Sequence, residues 1–365
     1  MLAIKEICSE FDIGGRYLEE RELHVGNINR TFYVKFERDG EEKEYIIQHI
    51  NKNVFKEPEK GMDNIVRVTE HVRGKLKQAG ISTRTGVLRA FLSKKTGKPF
   101  VVDSNGEYWR CYRFIKNSIT YDSVEDLGVL ESAGHAFGEF LNNLCDFDAK
   151  SLYTTIPNFH NTKERYKALH EAVNKNPVHR VELVEKELAM AFEYEELACK
   201  LQEYLDSGKI PYRVAHNDTK CNNVSFDKDT GCSLAVLDLD TVMPGAVAHD
   251  FGDAIRFIAN SVLEDDPDFD KVSLNLEKYQ AFAKGFITQV KNSLTELEKQ
   301  TMNLGVFAMT VELAVRFLTD YILGDVYFKV KYLEHNLVRT KNQLALARDV
   351  KLKMQTMQEI LEKYI

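Results

Sequence analysis

The sequence predicts an α+β protein in two lobes, a small β-rich N-terminal lobe and a larger, mainly helical C-terminal lobe. Three observations carry this. Before residue 115, short runs rich in β-branched and aromatic residues meet at Asp-Gly and Asn-Gly turns. After residue 123, apolar residues recur at three- and four-residue spacing with few breakers. One stretch, Val214 to Arg256, interrupts that helical pattern and concentrates the chain's candidate chemistry.

Taken in order, Leu2 to Phe11 reads as a short helix closed by Gly14-Gly15. Asn29–Glu37 and Glu42–Ile50 flank Arg38-Asp39-Gly40, a strong hairpin signal. A helix follows, with Met62, Ile65, Thr69, Val72 and Leu76 on one face. Phe100–Asp103 and Glu107–Ile115 form a second hairpin through Ser104-Asn105-Gly106. With one more strand before Asn29, the expectation is a five-strand sheet with one inserted helix. Val124–Leu144, Thr162–Val173 and Val181–Leu205 then read as helices. Val224-Ser225-Phe226, a turn through Asp227 to Gly231, and Ser233–Leu237 make a small hairpin that projects Asp238. Helices resume through Phe282, Met302–Leu323 and Asn336–Tyr364.

Bulk properties exclude several classes. At 365 residues the chain is long enough for two cores, and 44% hydrophobic with 29% charged residues is ordinary for a soluble protein. The net charge of −7 is spread along the chain, with no basic patch for nucleic acid. The longest apolar candidate, Leu304 to Val315, carries Glu312 and falls short of the roughly 18 residues of a membrane span. Lys5, Glu6 and Glu10 leave no room for a signal peptide, so the expected setting is cytoplasmic, as a monomer or weak homo-oligomer. Six scattered cysteines without a C-x-x-C fit reduced thiols, and Cys221, with no His placed as its base, reads as a spacer.

The chemistry lies in two sub-stretches. His216-Asn217-Asp218-Thr219-Lys220-Cys221-Asn222-Asn223 is an H-x-D with an Asn five residues after the Asp, and Leu234 to Asp240 is an apolar run ending in two carboxylates. Phosphoryl transfer needs a positioned acceptor hydroxyl, metal and phosphates more than covalent help. Asp218 fits a base for the acceptor hydroxyl, and Asn223 an amide-oxygen ligand for Mg²⁺, a hard ion that takes oxygen donors. Asp238 fits a second metal ligand held at a rigid strand end. Asp240 would share its face in an extended chain, as a further ligand or an outer partner. The bland alternative has His216 and Asp218 satisfying loop backbone and Asp238-Asp240 lining a turn.

With these motifs the chain resembles the aminoglycoside phosphotransferase and choline kinase superfamily, of protein-kinase-like fold, and within it the bacterial N-acetylhexosamine 1-kinases. The resemblance runs through Gly26 to Thr31, Asn64 to Thr69, Trp109 to Tyr112, Thr155 to Thr162, the two sub-stretches above, Asp250 to Arg256 and Arg316 to Phe328. It implies Asp218 as catalytic base, with Asn223 and Asp238 holding Mg²⁺. A loop around Gly26 would cover the ATP phosphates, with Asn29 near them. Asp250 would brace the catalytic loop, although a helix N-cap before Phe251 explains it equally well. His216 would pack the loop. Arg316 and Tyr327 would contact an N-acetylated sugar, against an i,i+4 pair for Arg316 and plain core for Tyr327. Asn217 could donate to a sugar hydroxyl, and His160-Asn161 could equally be a helix-start feature before Lys163.

One departure stands out: the third N-lobe strand carries Gln48 where this fold usually has a Lys for the phosphates, which leaves Glu70 on the helix without a partner. The resulting expectation is a nucleotide-binding lobe at 1–115, a hinge at 116–122 and a catalytic and sugar-binding lobe at 123–365. Its function would be ATP-dependent phosphorylation of the anomeric hydroxyl of N-acetylglucosamine or N-acetylgalactosamine. The alternatives are a kinase for choline or another sugar, and a nucleotide- or sugar-binding protein without turnover.

Overall fold

The computed structural model describes residues 4–24 and 28–365. Gly26 lies outside the described residues. The chain opens with α1 (Ile4–Glu10) and enters an antiparallel sheet of β1 (Arg16–Leu23), β2 (Arg30–Arg38) and β3 (Glu41–Ile50). Helix α2 (Pro58–Gln78) intervenes before β4 (Val101–Val102) and β5 (Tyr108–Arg113), and the sheet order is β1-β2-β3-β5-β4. The β2–β3 turn works because Asp39 and Gly40 both take positive φ, at 57° and 76°. In the β4–β5 turn the Asp103 carboxylate accepts from the amides of Asn105 and Glu107 and from the Trp109 indole.

Strand alternation divides the sheet into two faces. Phe32, Val34, Ile47, Trp109 and Cys111 form a small core with Ile7 and Phe11 of the α1 segment. The other face meets α2, whose Met62, Ile65, Val68, Val72 and Leu76 belong to the main core of the larger lobe. Gln48 and Arg110 are cross-strand partners on this second face.

Past β6 (Ser118–Ile119) the larger lobe runs through α3 (Leu127–Asn143), α4 (Thr162–Lys175) and α5 (Glu185–Asp206). Strands β7 (Arg213–Ala215), β8 (Val224–Asp227), β9 (Ser233–Val236) and β10 (Met243–Gly245) follow. The chain closes with α6 (Val247–Ile258), α7 (Leu276–Val290), α8 (Glu296–Gln300), α9 (Met302–Leu323) and α10 (His335–Leu361). Among the described residues no helix is long and apolar enough to cross a membrane.

One helix start moves and two strand pairings are added. Residues 181–183 form a separate 3-10 turn, and α5 starts at Glu185. Within residues 116–122, β6 pairs with β8. The β7–β10 pairing was not foreseen, and it fastens the segment before His216 to the one after Asp240. Glu70 pairs with Arg73 on the exposed side of α2. Helix α6 crosses α9 without side chains between them. A Cβ on Gly252 would lie 2.3 Å from the Gly305 carbonyl oxygen, and one on Gly305 would lie 2.0 Å from that of Ala248.

Candidate active site

Four consecutive amides of the loop after β7 are satisfied by side chains. His216 N and Asn217 N each donate to Asp250 at 2.7 Å, Asp218 N to His216 Nδ1 at 3.2 Å, and Thr219 N to Asp253 at 3.1 Å. Asp250 and Asp253 lie one turn apart on α6 and so face the same way. The N-cap of α6 is Ala246 and Asp250 sits within the helix, so the N-cap explanation of Asp250 falls away. Burial pushes Asp250 up to about 6, against the two amides and the adjacent histidines, which pull it down. His216 is fully buried and donates from Nε2 to the Leu237 carbonyl, 2.8 Å away, so the loop is fixed to the end of β9.

Asn217 departs from expectation. It is buried at φ 64°, and its side-chain amide donates to the carbonyls of Ala215, Thr241 and Met243. Every donor it has serves the β7–β10 junction, so it has no hydrogen left for an acceptor. Cys221 is buried and burial pushes its thiol up to about 12, the behaviour of a spacer.

The half-buried Asp218 carboxylate is held on both oxygens. Lys220 Nζ lies 2.7 Å from Oδ1, and Asn223 Nδ2 donates to Oδ2 at 3.2 Å and to the Asp218 carbonyl at 2.8 Å. Asn223 Oδ1 has no protein donor among the described residues and remains free for a cation. Asp238 stands at the end of β9 at φ 50°, a left-handed conformation that Asp tolerates better than most residues. Enclosure by the cleft walls and the carboxylates of Asp240 and Asp218 push it up to about 7 against the pull of Arg110. Its side chain still reaches solvent, which softens the effect of enclosure.

Asp240 is engaged differently. Both its oxygens receive the Arg110 guanidinium, with Nη2 to Oδ2 at 2.9 Å, and Asn29 Nδ2 adds a bond of 2.7 Å. Burial alone would raise Asp240, but Arg110 holds it below the usual carboxylate range. Arg110 Nε donates to Gln48 Oε1 at 2.9 Å, and Gln48 in turn donates to Thr31. Asn29, Gln48, Arg110 and Asp240 thus form one cluster where the sheet meets the larger lobe.

The donor set fits Mg²⁺. No group of three or more His, Cys, Asp or Glu side chains is arranged for a metal among the described residues. Mg²⁺ does not require one, since it keeps several waters and takes one or two carboxylates plus phosphates. The Asp238 carboxylate and Asn223 Oδ1 are oxygen donors of the right kind, and a divalent cation would relieve the crowding of negative charge at Asp238.

On the other side of the loop His160 joins Asn217 to α9. Its Nε2 lies 3.0 Å from the Asn217 carbonyl and its Nδ1 2.9 Å from Glu312 Oε1, while Thr162 donates to the second Glu312 oxygen. Both ring partners only accept, so both ring nitrogens must donate, and His160 is the imidazolium. Burial alone would lower His160, but the charge of Glu312 raises it; burial would raise Glu312, but His160, Arg316 and Arg165 hold it down to about 2. His249 lies nearby, its ring tilted at 53° and 5.5 Å from that of His160 between centroids, with no hydrogen-bond partner on either nitrogen among the described residues. Asn161 caps α4 by accepting from Glu164.

Arg316 makes no ion pair with Glu312 or Asp320. It lies over Phe159 and Phe328 at 5.7 and 5.6 Å. Arg165 donates to the Phe159 carbonyl, and burial together with Arg316 lowers its pKa. Tyr327 is 71% exposed and is no core residue. Its loop is shaped by buried Asp320, which accepts from the amides of Val326, Tyr327 and Phe328. Arg110, His160, Lys220 and Asp320 stood within the quoted stretches and Glu312 in the longest apolar run, but none of them was assigned a role at this site from the sequence. Each is a single polar residue, and the partners of Arg110, His160 and Glu312 are distant in the chain.

A family model described as a phosphotransferase enzyme family matches residues 19–281. Spectinomycin phosphotransferase, solved with ADP and spectinomycin, is 15% identical at a TM-score of 0.57, with 96% of this chain and 99% of that chain covered. An aminoglycoside phosphotransferase from Alicyclobacillus acidocaldarius is 11% identical at a TM-score of 0.61, with 100% and 97% covered. The ethanolamine kinase of Plasmodium vivax is 15% identical at a TM-score of 0.54, with 94% and 84% covered. These identities speak for the fold, which is the protein-kinase-like, two-lobe α+β arrangement.

Proposed function

This chain belongs to the phosphotransferase enzyme family, and on that premise we propose that it is an ATP- and Mg²⁺-dependent kinase for the anomeric hydroxyl of an N-acetylhexosamine, N-acetylglucosamine or N-acetylgalactosamine. The observation that carries the reaction class is Asp218, fixed by Lys220 and Asn223 on a loop whose amides from His216 to Thr219 are each matched to a side chain, with Asp238 beside it. Asp218 orients the acceptor hydroxyl and takes its proton as the γ-phosphoryl transfers in line. An anomeric hydroxyl is more acidic than an ordinary alcohol, so the base needs no strong perturbation. Lys220 keeps the carboxylate aimed and balances its charge. Asn223 and Asp238 would hold Mg²⁺, which supplies neutralisation of the phosphate charge. We take residues 1–115 as the nucleotide-binding lobe and 123–365 as the catalytic and sugar-binding lobe.

The N-acetyl sugar is supported by the resemblance of Arg316 to Phe328 to the sugar kinases. Two adjoining guanidiniums, Arg165 and Arg316, also disfavour a cationic acceptor such as choline, which they would repel. The test is a coupled ADP-release assay with both N-acetyl sugars, another hexose and choline, with the product identified by mass spectrometry. A sugar 1-phosphate is expected. Turnover on choline alone would reverse the acceptor, and ATP binding without ADP release on any acceptor would favour a binding protein.

A further inference from the structure

The kinase reading leaves the phosphates without their usual cation, because the β3 position that faces the cleft is the uncharged Gln48. The residue across from it in the β3–β5 register is Arg110. Directly opposed residues in an antiparallel pair project from the same face, so the two side chains enter the same space. They meet there, with Arg110 Nε donating to Gln48 Oε1 at 2.9 Å. Arg110 is 2% exposed and lines a recess with Ile50, Lys56, Met62 and Asp240. A guanidinium so placed is not a surface charge, and its position at the seam between the lobes has to be accounted for.

Its hydrogens can be counted. A guanidinium has five N–H groups. One goes to Gln48 and two to Asp240. A fourth meets only Met62 Sδ at 3.9 Å, a weak acceptor, and one has no protein partner among the described residues. Being paired with a carboxylate does not disqualify the cation, since in protein kinases the phosphate-binding Lys is itself ion-paired. Arg110 is also close enough to Asp238 to feel its charge, so it borders the carboxylate proposed for Mg²⁺.

We propose that Arg110 is the cation that grips the nucleotide's phosphate chain, supplied from β5 in place of a β3 lysine, with Gln48 and Asp240 as its positioning residues. Asp240 then acts as the counter-ion that aims the guanidinium, while Asp238 alone of the two carboxylates faces the metal. This assignment rests on the kinase reading.

The experiment compares binding of ATP, ADP and adenosine, each with Mg²⁺, by titration calorimetry on the full chain. Wild type is set beside Arg110→Gln, Arg110→Lys and the double variant Gln48→Lys/Arg110→Gln, which moves the charge from β5 to β3. Arg110→Gln should weaken ATP about 10- to 100-fold, as expected for lost charged hydrogen bonds, and leave adenosine within about twofold. The double variant should regain most of the ATP affinity and part of the turnover. Should Arg110→Gln fail to fold because Asp240 is left buried and unpaired, Arg110→Lys carries the test. It keeps the charge without the fork, and ATP should weaken while adenosine does not. ATP affinity unchanged in a folded Arg110 variant, or equal losses for ATP and adenosine, would overturn the assignment. Wild-type protein that binds neither ATP nor ADP would instead sink the kinase reading beneath it.

Discussion

The loop proposed for catalysis and the wall proposed for the acceptor present their side chains on opposite plans. From His216 to Thr219 every backbone amide is matched to a side chain, and the Asp218 carboxylate is held on both oxygens. Around Arg316 and Tyr327 the backbone is likewise tied to buried Asp320, but the two side chains themselves meet ring faces and solvent, with Tyr327 71% exposed. Directed, buried hydrogen bonds fix atoms to a single geometry, whereas stacking over aromatic faces tolerates sliding. The Asp218 carboxylate is thus held rigidly and the Arg316 and Tyr327 side chains loosely, so on the proposed function changes at the latter should alter what is bound while leaving how it reacts intact.

Substitutions on each side can break that contrast. The largest effect is expected from Asp218→Asn, which should cut kcat about a hundred- to ten-thousand-fold with an unchanged melting temperature; near-normal turnover would remove Asp218 as base. Asp250→Ala leaves two buried amides unmatched and should cost about 2–5 kcal/mol of stability in chemical denaturation. A loss under 1 kcal/mol would mean that the loop does not depend on α6. Arg316→Ala belongs to the other side and should raise the acceptor KM about tenfold, roughly 1.4 kcal/mol, with the KM for ATP unchanged. An equal fall in kcat on all acceptors would show the wall to be part of the rigid half.

The smallest effect concerns His249, on α6 between the two regions. Burial, and then the charge of His160, push it from 6.5 down to about 3. The folded protein keeps it neutral while the unfolded chain takes up the proton first, so its contribution is complete above about 6.5 and fades as pH falls towards 3. Leucine does not titrate. His249→Leu should therefore gain on wild type by about 1 kcal/mol between pH 8 and pH 5.5, read from melting curves at both values. A pH-independent difference would refute the neutral histidine.

How much of this was legible follows from the range of the interactions. Asp39-Gly40 and Ser104-Asn105-Gly106 are local turns, and the face from Met62 to Leu76 is a local periodicity, so the sheet and α2 could be read directly. Asp218, Asn223 and Asp238 lie within one stretch of sequence and were recognisable as a set. The Arg110–Asp240 pair spans 130 residues and His160–Glu312 spans 152. Nothing in the neighbourhood of either Arg110 or His160 announces its partner. Strands β7 and β10 have three residues each, too few to display alternation. Asn217 was misjudged for a related reason: next to a candidate base it looks like a donor to ligand, and only the β7–β10 junction shows three carbonyls competing for it.

The seating of α2 has a bearing on how the chain acquires its fold. The apolar face of α2 completes the core of the larger lobe, and the Arg110 charge on the sheet finds its counter-ion only at Asp240. A fragment ending near residue 115 would expose that helix face and strand a buried cation, two penalties that a small sheet cannot absorb. The β-rich lobe should therefore depend on the larger lobe for its stability. Limited proteolysis in the 116–122 segment should release no stable N-terminal piece, and both halves of the cut chain should melt together in one transition.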